Sequence, residues 1–110
     1  MHPRVQALGR LKKGARNGLE AEYEVYLEGL KWGGKILWYE FEGLKFRLAD
    51  NTFYTPDFVV LNADSQLEVH EVKGFWKDDA RVKIKVAASM YPLVFFGIQK
   101  KRGQWVVENF

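Results

Sequence analysis

Tyr54-Thr55-Pro56-Asp57-Phe58-Val59-Val60 and Glu68-Val69-His70-Glu71-Val72-Lys73-Gly74 are two apolar, β-branched runs, and each carries an acid inside it. The turn-forming cluster Asn62-Ala63-Asp64-Ser65 lies between them. Two apolar runs separated by such a cluster predict a β-hairpin. Because a charged group is costly to bury, two acids within apolar strands point to a functional site.

The predicted hairpin brings the two acids together. Side chains alternate between the faces of a strand, so Glu71 shares a face with Val69 and Lys73. A turn centred near Asp64 places Asp57 directly opposite Glu71, because both lie seven positions from it. Cross-strand partners have Cβ atoms about 4.5–5.5 Å apart. The two carboxylates therefore converge on one face, with Lys73 one pleat further along.

This arrangement suits a site for a divalent metal ion. Mg²⁺ takes oxygen ligands and is usually held by one or two carboxylates together with water and phosphate. Asp57 and Glu71 supply the carboxylates, and the Lys73 ammonium can orient a nucleophilic water or neutralise a phosphate. The alternative is a solvent-facing strand on which Glu71 and Lys73 form a weak surface ion pair. The apolar neighbours on the same face weigh against that alternative and leave it open.

A first helix is predicted at about residues 18–31, ended by Gly33-Gly34. Its apolar stripe has helical spacing and consists of Leu19, Tyr23, Tyr26, Leu27 and Leu30. Glu20 falls at the edge of this stripe and is the helix carboxylate best directed at the sheet. It also lies three residues after Asn17, which is the spacing of a capping box. A capping role and a role in the site are compatible.

Positive charge is concentrated at the N-terminus. The chain has 17 basic and 14 acidic residues, a formal charge of +3. Residues 1–17 contain no acid and five bases, which are Arg4, Arg10, Lys12, Lys13 and Arg16. Without these five, the rest of the chain has two more acids than bases. Residues 1–17 are therefore predicted to be a basic arm, which either binds nucleic-acid backbone or is a solubilising tail.

A second helix is predicted from Asp78, as its cap, to about Tyr91, where Pro92 stops it. Its apolar stripe consists of Ala80, Ile84, Ala87, Ala88 and Tyr91. A row of bases at spacings of four follows one edge of the stripe, namely Lys77, Arg81 and Lys85. Because the helix begins soon after Lys73, we expect this row to flank the acids and hold phosphate. Lys83 is expected on a solvated face of the helix.

Three further side chains near the acids carry weaker signals. Phe75 and Trp76 join the second acidic strand to the helix, where they either pack on the core or stack on bases. Packing is the favoured alternative. His70 neighbours Glu71 but points to the opposite face, so a structural role is expected rather than one as a base or metal ligand.

The remaining strands complete a fold of the α/β class. Strands are predicted at about 36–42, 44–49, 53–61, 66–73, 93–99 and 104–108, with a turn at Lys101-Arg102-Gly103. The strand at 93–99 is apolar on both faces, as in a central buried strand. A helix, a run of antiparallel strands, a second helix and closing strands predict a central mixed sheet flanked by helices.

Composition narrows the classes of protein. The chain of 110 residues is long enough for one compact domain, placed at residues 18–110. It has no cysteine, which excludes disulfides, zinc–thiolate sites and a cysteine nucleophile. No apolar run approaches a membrane span, and the N-terminus lacks the apolar segment of a signal peptide. No glycine-rich phosphate loop is present, so a nucleotide cofactor is not expected.

Pro56-Asp57, a spacer and Glu71-Val72-Lys73 together resemble the signature of the PD-(D/E)XK nuclease superfamily. The similarity is closest to a family of small phage-encoded nuclease-like proteins of unassigned function, and it extends over about residues 17–110. Four blocks in order carry it, namely residues 17–21, 54–58, 69–74 and 83–88. The short signature alone is weak, because many proteins match it by chance, whereas the ordered blocks are more specific.

The resemblance implies a restriction-endonuclease-like core of order αβββαβ with extra strands. It implies that Asp57, Glu71 and the backbone carbonyl of Val72 ligate Mg²⁺ or Mn²⁺. Lys73 would act at the attacking water or the phosphate, and Glu20 would complete the acidic site. Some members of this superfamily have lost catalysis and keep the fold.

The expected function is metal-dependent hydrolysis of phosphodiester bonds, with DNA as the first substrate to test, including branched replication or recombination intermediates of a phage. The residues expected to hold nucleic acid are Arg10, Lys12, Lys13, Arg16, Lys77, Arg81 and Lys85. A homodimer would give two sites for two strands. The expected location is the cytoplasm of a bacterial host, without membrane association. Two alternatives are a catalytically silent nucleic-acid-binding protein with this fold and a phage protein-interaction module.

Overall fold

The computed structural model describes residues 7–8 and 14–110 of the chain. The elements in these residues are β1 (Ala7–Leu8), α1 (Gly18–Trp32), β2 (Ile36–Phe41), β3 (Lys45–Ala49), β4 (Thr52–Tyr54), β5 (Phe58–Asn62), β6 (Leu67–Val72), α2 (Asp78–Met90), β7 (Val94–Lys101) and β8 (Gln104–Asn109). No helix in this part of the chain is both long and apolar enough to cross a membrane.

The strands form two sheets. The larger sheet has the order β2-β5-β6-β7-β8, in which β6 and β7 are parallel and the other neighbours are antiparallel. The smaller sheet has the order β1-β3-β4 and is antiparallel. The α/β class with a central mixed sheet and two helices is therefore confirmed. The helix α2 connects the parallel strands β6 and β7, as a crossover between parallel strands requires.

The β5–β6 hairpin has the predicted register. Phe58 pairs with His70 and Leu61 pairs with Leu67, so one further step sets Asp57 opposite Glu71. The turn is held by Asn62, whose side-chain oxygen accepts hydrogen bonds from the backbone N–H groups of residues 64 and 66, at 2.9 and 3.0 Å. A side chain that satisfies backbone groups in this way fixes both the loop length and the pairing that follows.

The prediction of a single strand at 53–61 is wrong, because a break in the strand separates β4 from β5. Pro56 lies in the break, is buried, and has no N–H to donate to a ladder. The N–H of Asp57 donates to the Glu71 carboxylate, and its carbonyl accepts from Glu42 at 2.7 Å. The chain thus leaves the small sheet at Tyr54 and enters the central sheet at Phe58, and Asp57 lies at the crossing.

Each face of the central sheet is covered by a different layer. On one face, α1 contributes Tyr23 and Leu27 to a core with Phe58 at its centre. On the other face, α2 and the small sheet enclose a second core that includes Phe46, Ile84, Ala87, Tyr91 and Phe95. These apolar stripes are the ones the helical spacing predicts, except that Tyr26 stays 43% exposed.

The sequence predicted the N-terminal cap of α1 correctly, but not that of α2. The capping box of α1 is confirmed, since Asn17 and Glu20 exchange hydrogen bonds between side chain and backbone at 2.8 and 2.9 Å. The predicted cap of α2 is wrong, because Asp78 is the first helical residue and Lys77 is the N-cap without a side-chain bond. Tyr91 ends α2 in an extended conformation, just before Pro92.

Gly97 in β7 is required by close packing rather than by backbone conformation. A Cβ at this position would lie 2.5 Å from a ring atom of Trp76 and 2.8 Å from one of Phe110. We expect Gly97→Ala to lower the free energy of unfolding by about 1–3 kcal/mol, the usual cost of overpacking. Urea denaturation measures this change. Gly29→Ala in α1 is the matched control, since its Cβ meets nothing within 4 Å. Equal midpoints for the two variants would contradict this account of the packing.

Candidate active site

The acidic cluster lies at the crossing between the two sheets. Asp57 is 7% exposed and Glu71 is 6% exposed, so both carboxylates are buried. The backbone N–H of Asp57 donates to Oε1 of Glu71 at 3.1 Å. The structure therefore brings together the two acids that the hairpin pattern predicts to converge.

Two side chains hold the Glu71 carboxylate. Its Oε1 accepts a hydrogen bond from the Tyr54 hydroxyl at 3.0 Å, and its Oε2 lies 3.1 Å from Nζ of Lys73. Burial raises the pKa of Glu71, and Lys73 opposes that rise. Burial also raises the pKa of Tyr54 well above its usual range, and the charge of Glu71 adds to the effect. Sequence reasoning missed Tyr54, because its hydroxyl meets Glu71 across two different sheets.

Asp57 is a carboxyl group that is hard to ionise. Its Oδ2 accepts a hydrogen bond from the backbone N–H of Val72 at 2.7 Å. Burial, the nearby charge of Glu71 and a hydrogen bond with Glu20 raise the pKa of Asp57 to about 9. A buried acid beside two other acids gains most from a cation that stabilises its charged form.

Glu20 reaches the cluster from the first turn of α1. Its half-buried side chain completes the capping box and lies close enough to Asp57 to raise the pKa of that carboxyl group. Its charge acts on Lys73 as well. The capping role and the role in the cluster are thus met by the same carboxylate.

Lys73 follows β6 and is half-buried beside the acids. Burial alone would lower the pKa of Lys73, but the charges of Glu71, Asp57 and Glu20 outweigh it and raise the pKa. The ammonium group is therefore charged at neutral pH. A permanently protonated lysine donates hydrogen bonds and does not accept a proton, so it fits a positioning or charge-neutralising role.

A groove opens beside the cluster. It has a volume of about 260 Å³ and is lined by Phe53, Tyr54, Thr55, Glu71, Lys73, Asp79, Ala80 and Lys83. Lys83 is exposed, as expected for a solvated helix face, and it also lines this groove. The signal was its spacing, because Lys83 lies one turn after Asp79 and Ala80 on the same side of α2.

The predicted basic row on α2 does not act as one unit. Arg81 donates to Glu108 at 2.6 Å and lies over the rings of Trp76 and Phe110, at 5.5 and 5.1 Å from their centroids. The hydrogen bond from Arg81 lowers the pKa of Glu108, and the charge of Lys85 contributes. Arg81 is therefore occupied by Glu108, which the pairing of Gly97 with both Glu71 and Glu108 places two strands from Glu71. A role of Arg81 and Lys85 in holding phosphate stays a prediction.

Lys77 is the member of the row that stays near the cluster. It lines a second cavity of about 270 Å³ together with Lys73, Phe75, Asp79 and Ala80. The row divides because a spacing of four drifts around the helix, and the last residues of β8 supply an acid on the far side.

The basic arm is described only in part. Arg10, Lys12 and Lys13 lie outside the described residues. Arg16 forms an ion pair with Glu24, and its guanidinium lies 4.4 Å from the centroid of the Phe41 ring. Arg16 is thus engaged by α1 and β2, while the backbone of Ala7–Leu8 pairs with β3.

His70 points away from the cluster, as the alternation of β6 predicts. Its Nδ1 lies 2.7 Å from the Tyr23 hydroxyl, and its Nε2 lies 2.9 Å from Glu68. Asn62 donates to the other oxygen of Glu68 at 2.9 Å. This buried chain of hydrogen bonds ties α1 to β6, so the expected structural role agrees with its contacts.

The connection after β6 separates the two aromatic residues. Trp76 packs against Phe110 with 5.3 Å between ring centroids, and it joins the core under α2. Phe75 is 69% exposed. The expectation that both pack on the core is therefore wrong for Phe75.

The donors of the cluster suit a hard divalent cation. Asp57, Glu71 and Glu20 offer oxygen ligands only, which is the set that Mg²⁺ and Mn²⁺ accept. Among the described residues, no three acidic or histidine side chains are already arranged to hold a metal ion. Glu71 is turned toward Tyr54 and Lys73. The acidic side chains that could ligate the ion are therefore Asp57 and Glu71, with Glu20 next to them.

Comparisons with protein-family models, curated proteins and solved structures find no match. The relationship to the PD-(D/E)XK superfamily therefore stays a prediction, carried by the sequence blocks and by the geometry of the cluster.

Proposed function

We propose that the chain is a metal-dependent nuclease that hydrolyses phosphodiester bonds of nucleic acid. The observation that carries this proposal is the buried pair Asp57 and Glu71, joined by one hydrogen bond, with the charged Lys73 at the mouth of a groove. Buried acids with a raised pKa beside a lysine in a cleft are typical of functional sites. A purely structural ion pair would not need two further acids brought next to it.

A restriction-endonuclease-like core is part of the proposal. The order α1, β2, β5, β6, α2 and β7 agrees with the αβββαβ arrangement, and β8 and the small sheet are then additions. The acids lie at the edge where β5 begins and β6 ends. That edge is open to a groove on the α2 side, which gives a substrate access to buried carboxylates.

The proposed reaction joins the oxygen of a water to phosphorus and breaks the bond from phosphorus to the leaving ester oxygen. A divalent ion held by Asp57, Glu71 and the Val72 carbonyl would supply an activated water and stabilise charge on the phosphate. Lys73 would donate a hydrogen bond to the attacking water or to a phosphate oxygen. Tyr54 holds Glu71 in place by its hydroxyl, and Glu20 adds a third carboxylate next to Asp57.

The test is cleavage of single-stranded, duplex and four-way-junction DNA, and of RNA, in Mg²⁺, Mn²⁺ or EDTA. Expected is cutting that requires the metal ion. Glu71→Gln removes a direct ligand and should lower the rate by at least about 10³-fold, equivalent to several kcal/mol. Glu20→Gln removes an adjoining acid and should cost about 10–100-fold.

Three results would change the proposal. Equal losses in the two glutamine variants would promote Glu20 to a direct ligand. Binding of nucleic acid without cutting in any metal ion would replace the nuclease with a silent binding protein of the same fold. Neither cutting nor salt-sensitive binding would leave the interaction-module alternative.

A further inference from the structure

The groove beside the acidic cluster continues past α2. The two cavities of about 260 and 270 Å³ share Lys73, Asp79 and Ala80 in their linings, so they adjoin along the first turn of the helix. Phe53 lines the first cavity, and Phe75 lines the second. Lys73 lies between these two aromatic residues in the linings.

Each aromatic residue presents part of its surface, and each has a fixed point beside it. Phe53 is 36% exposed, and Nζ of Lys45 lies 4.4 Å from the centroid of its ring. Phe75 is 69% exposed and sits between two anchored neighbours. Gly74 accepts a hydrogen bond from Gln99 at 3.3 Å, and Trp76 packs under α2. An exposed phenylalanine between fixed neighbours offers an apolar face at little cost in conformational entropy.

The charges along the groove favour a polyanion outside the buried pair. Lys77 and Lys83 line one cavity each, and Lys73 lines both. Asp79 is the exposed acid in the linings, and its carboxylate accepts a hydrogen bond from the backbone N–H of Ala80 at 3.0 Å. Three lysines at three positions along the groove match a chain of phosphates better than they match a single one.

We propose that this groove binds unpaired nucleotides, so that the substrate class of the site is single-stranded nucleic acid or a strand with unpaired bases. The inference rests on the proposed function for the cutting step, but not for binding. Bases would stack on Phe75 and Phe53 on either side of Lys73, and the lysines would neutralise the phosphates. Stacking on aromatic side chains combined with a basic groove is how proteins bind single strands without sequence preference. Duplex bases are already stacked on each other and would leave both phenylalanines without a partner.

Fluorescence anisotropy in EDTA tests binding without cutting. The probes are a labelled single strand, the same sequence as a duplex, and a strand of abasic sites with the same number of phosphates. The wild-type protein should bind the base-bearing strand most tightly. Phe75→Ala should weaken that binding by roughly 5- to 150-fold, the loss expected for one stacked base. It should leave binding of the abasic strand unchanged, because the phosphate contacts remain.

Matched variants guard against a general effect. Phe75→Tyr keeps the ring and should retain affinity, and Trp32→Ala removes an aromatic side chain that is 85% exposed on α1 and should have no effect. DNA and RNA strands of one sequence compare the two sugars. Circular dichroism confirms that each variant is folded.

The outcomes separate this inference from the nuclease. Tighter binding of the duplex, or an equal loss of Phe75→Ala on base-bearing and abasic strands, overturns the inference, as does no binding of any strand. Base-dependent binding without cutting in any metal ion supports it and overturns the nuclease. If the protein cuts duplex in a metal-dependent way and Phe75→Ala does not slow the cutting, the nuclease proposal is supported and the inference about the groove is contradicted.

Discussion

Asp57→Asn is expected to abolish metal-dependent cleavage, with a fall in rate of at least about 10³-fold, while the protein stays folded at neutral pH. The loss follows because the amide is neutral and cannot balance the charge of a divalent ion that stabilises the reacting phosphate by several kcal/mol. The fold should survive because the amide oxygen can still accept the hydrogen bond that Val72 donates to Asp57 at 2.7 Å. With its pKa raised to about 9, the aspartate is itself neutral at pH 7 before metal binds.

The hairpin provides a matched control for this variant. Asp64→Asn makes the same chemical change at an exposed position, in the turn that joins β5 to β6. It should cut at the wild-type rate. Rates from single-turnover assays, with urea denaturation in parallel, separate lost chemistry from lost structure. Normal cutting by Asp57→Asn would show that the buried pair is not the metal site.

The position of the acidic pair could be predicted from the sequence because it depends on local rules. Asn62 sets the turn, the turn sets the register, and the strand period then places Asp57 opposite Glu71. The spacing of Asn17 and Glu20 likewise predicts the capping box, which is a contact within one turn of helix. In each case, the interacting residues are close in sequence and one geometric period decides the outcome.

The parts that could not be predicted depend on contacts between distant residues. Arg81 was expected to hold phosphate beside the acids because its helix starts near them, but it pairs with Glu108, which lies 27 residues further along the chain. The sequence did not predict that β3 pairs with β4 in a separate sheet rather than with β2 in the central sheet, because β2 and β4 are both its neighbours in the chain. Tyr54 shows the same limit, since its partner Glu71 is in another sheet.

The site also shows where local rules fail for a functional reason. An apolar strand pairing such as β5 with β6 would be more stable with apolar residues in place of two buried acids. The energetic cost is reduced by the hydrogen bonds of Tyr54, Val72 and Lys73, which satisfy particular oxygens of the pair. Such a compromise is expected at sites that act on a ligand, because the acids are kept for chemistry rather than for folding.

The metal-free protein is expected to lose stability as the pH rises from about 5 to about 9. Asp57 has a folded pKa of about 9 against 3.8 for the free group, and the pKa of Glu71 is also raised. A raised pKa means that the folded state holds a proton that the unfolded state has lost. The stabilising contribution is therefore full below pH 4 and disappears as the pH passes the folded-state pKa. The free energy of unfolding falls by up to about 1.4 kcal/mol per pH unit for each proton held.

Other shifted groups do not reverse this trend in the same window. The pKa of Glu68 is lowered by its hydrogen bond with His70, so its contribution is lost only in acid, below the free value of 4.5. The raised pKa of Lys73 acts above its free value of 10.5. The fall between about pH 5 and pH 9 should therefore come from the pair Asp57 and Glu71.

Mg²⁺ or Mn²⁺ should restore the stability that the metal-free protein loses as the pH rises, and the affinity for the ion should increase over the same range. Ligands must be deprotonated to hold the ion, so each binding event releases the protons that the pair retains, and metal affinity rises with pH. Urea denaturation at several pH values, with and without the ion, measures both effects. Asp57→Asn should flatten the metal-free profile and remove the response to the ion, whereas Asp64→Asn should follow the wild type. A metal-free stability that climbs from pH 5 to pH 8 would show that the pair is ionised in the folded protein, and a site whose acids are already charged would not need a cation to make them so.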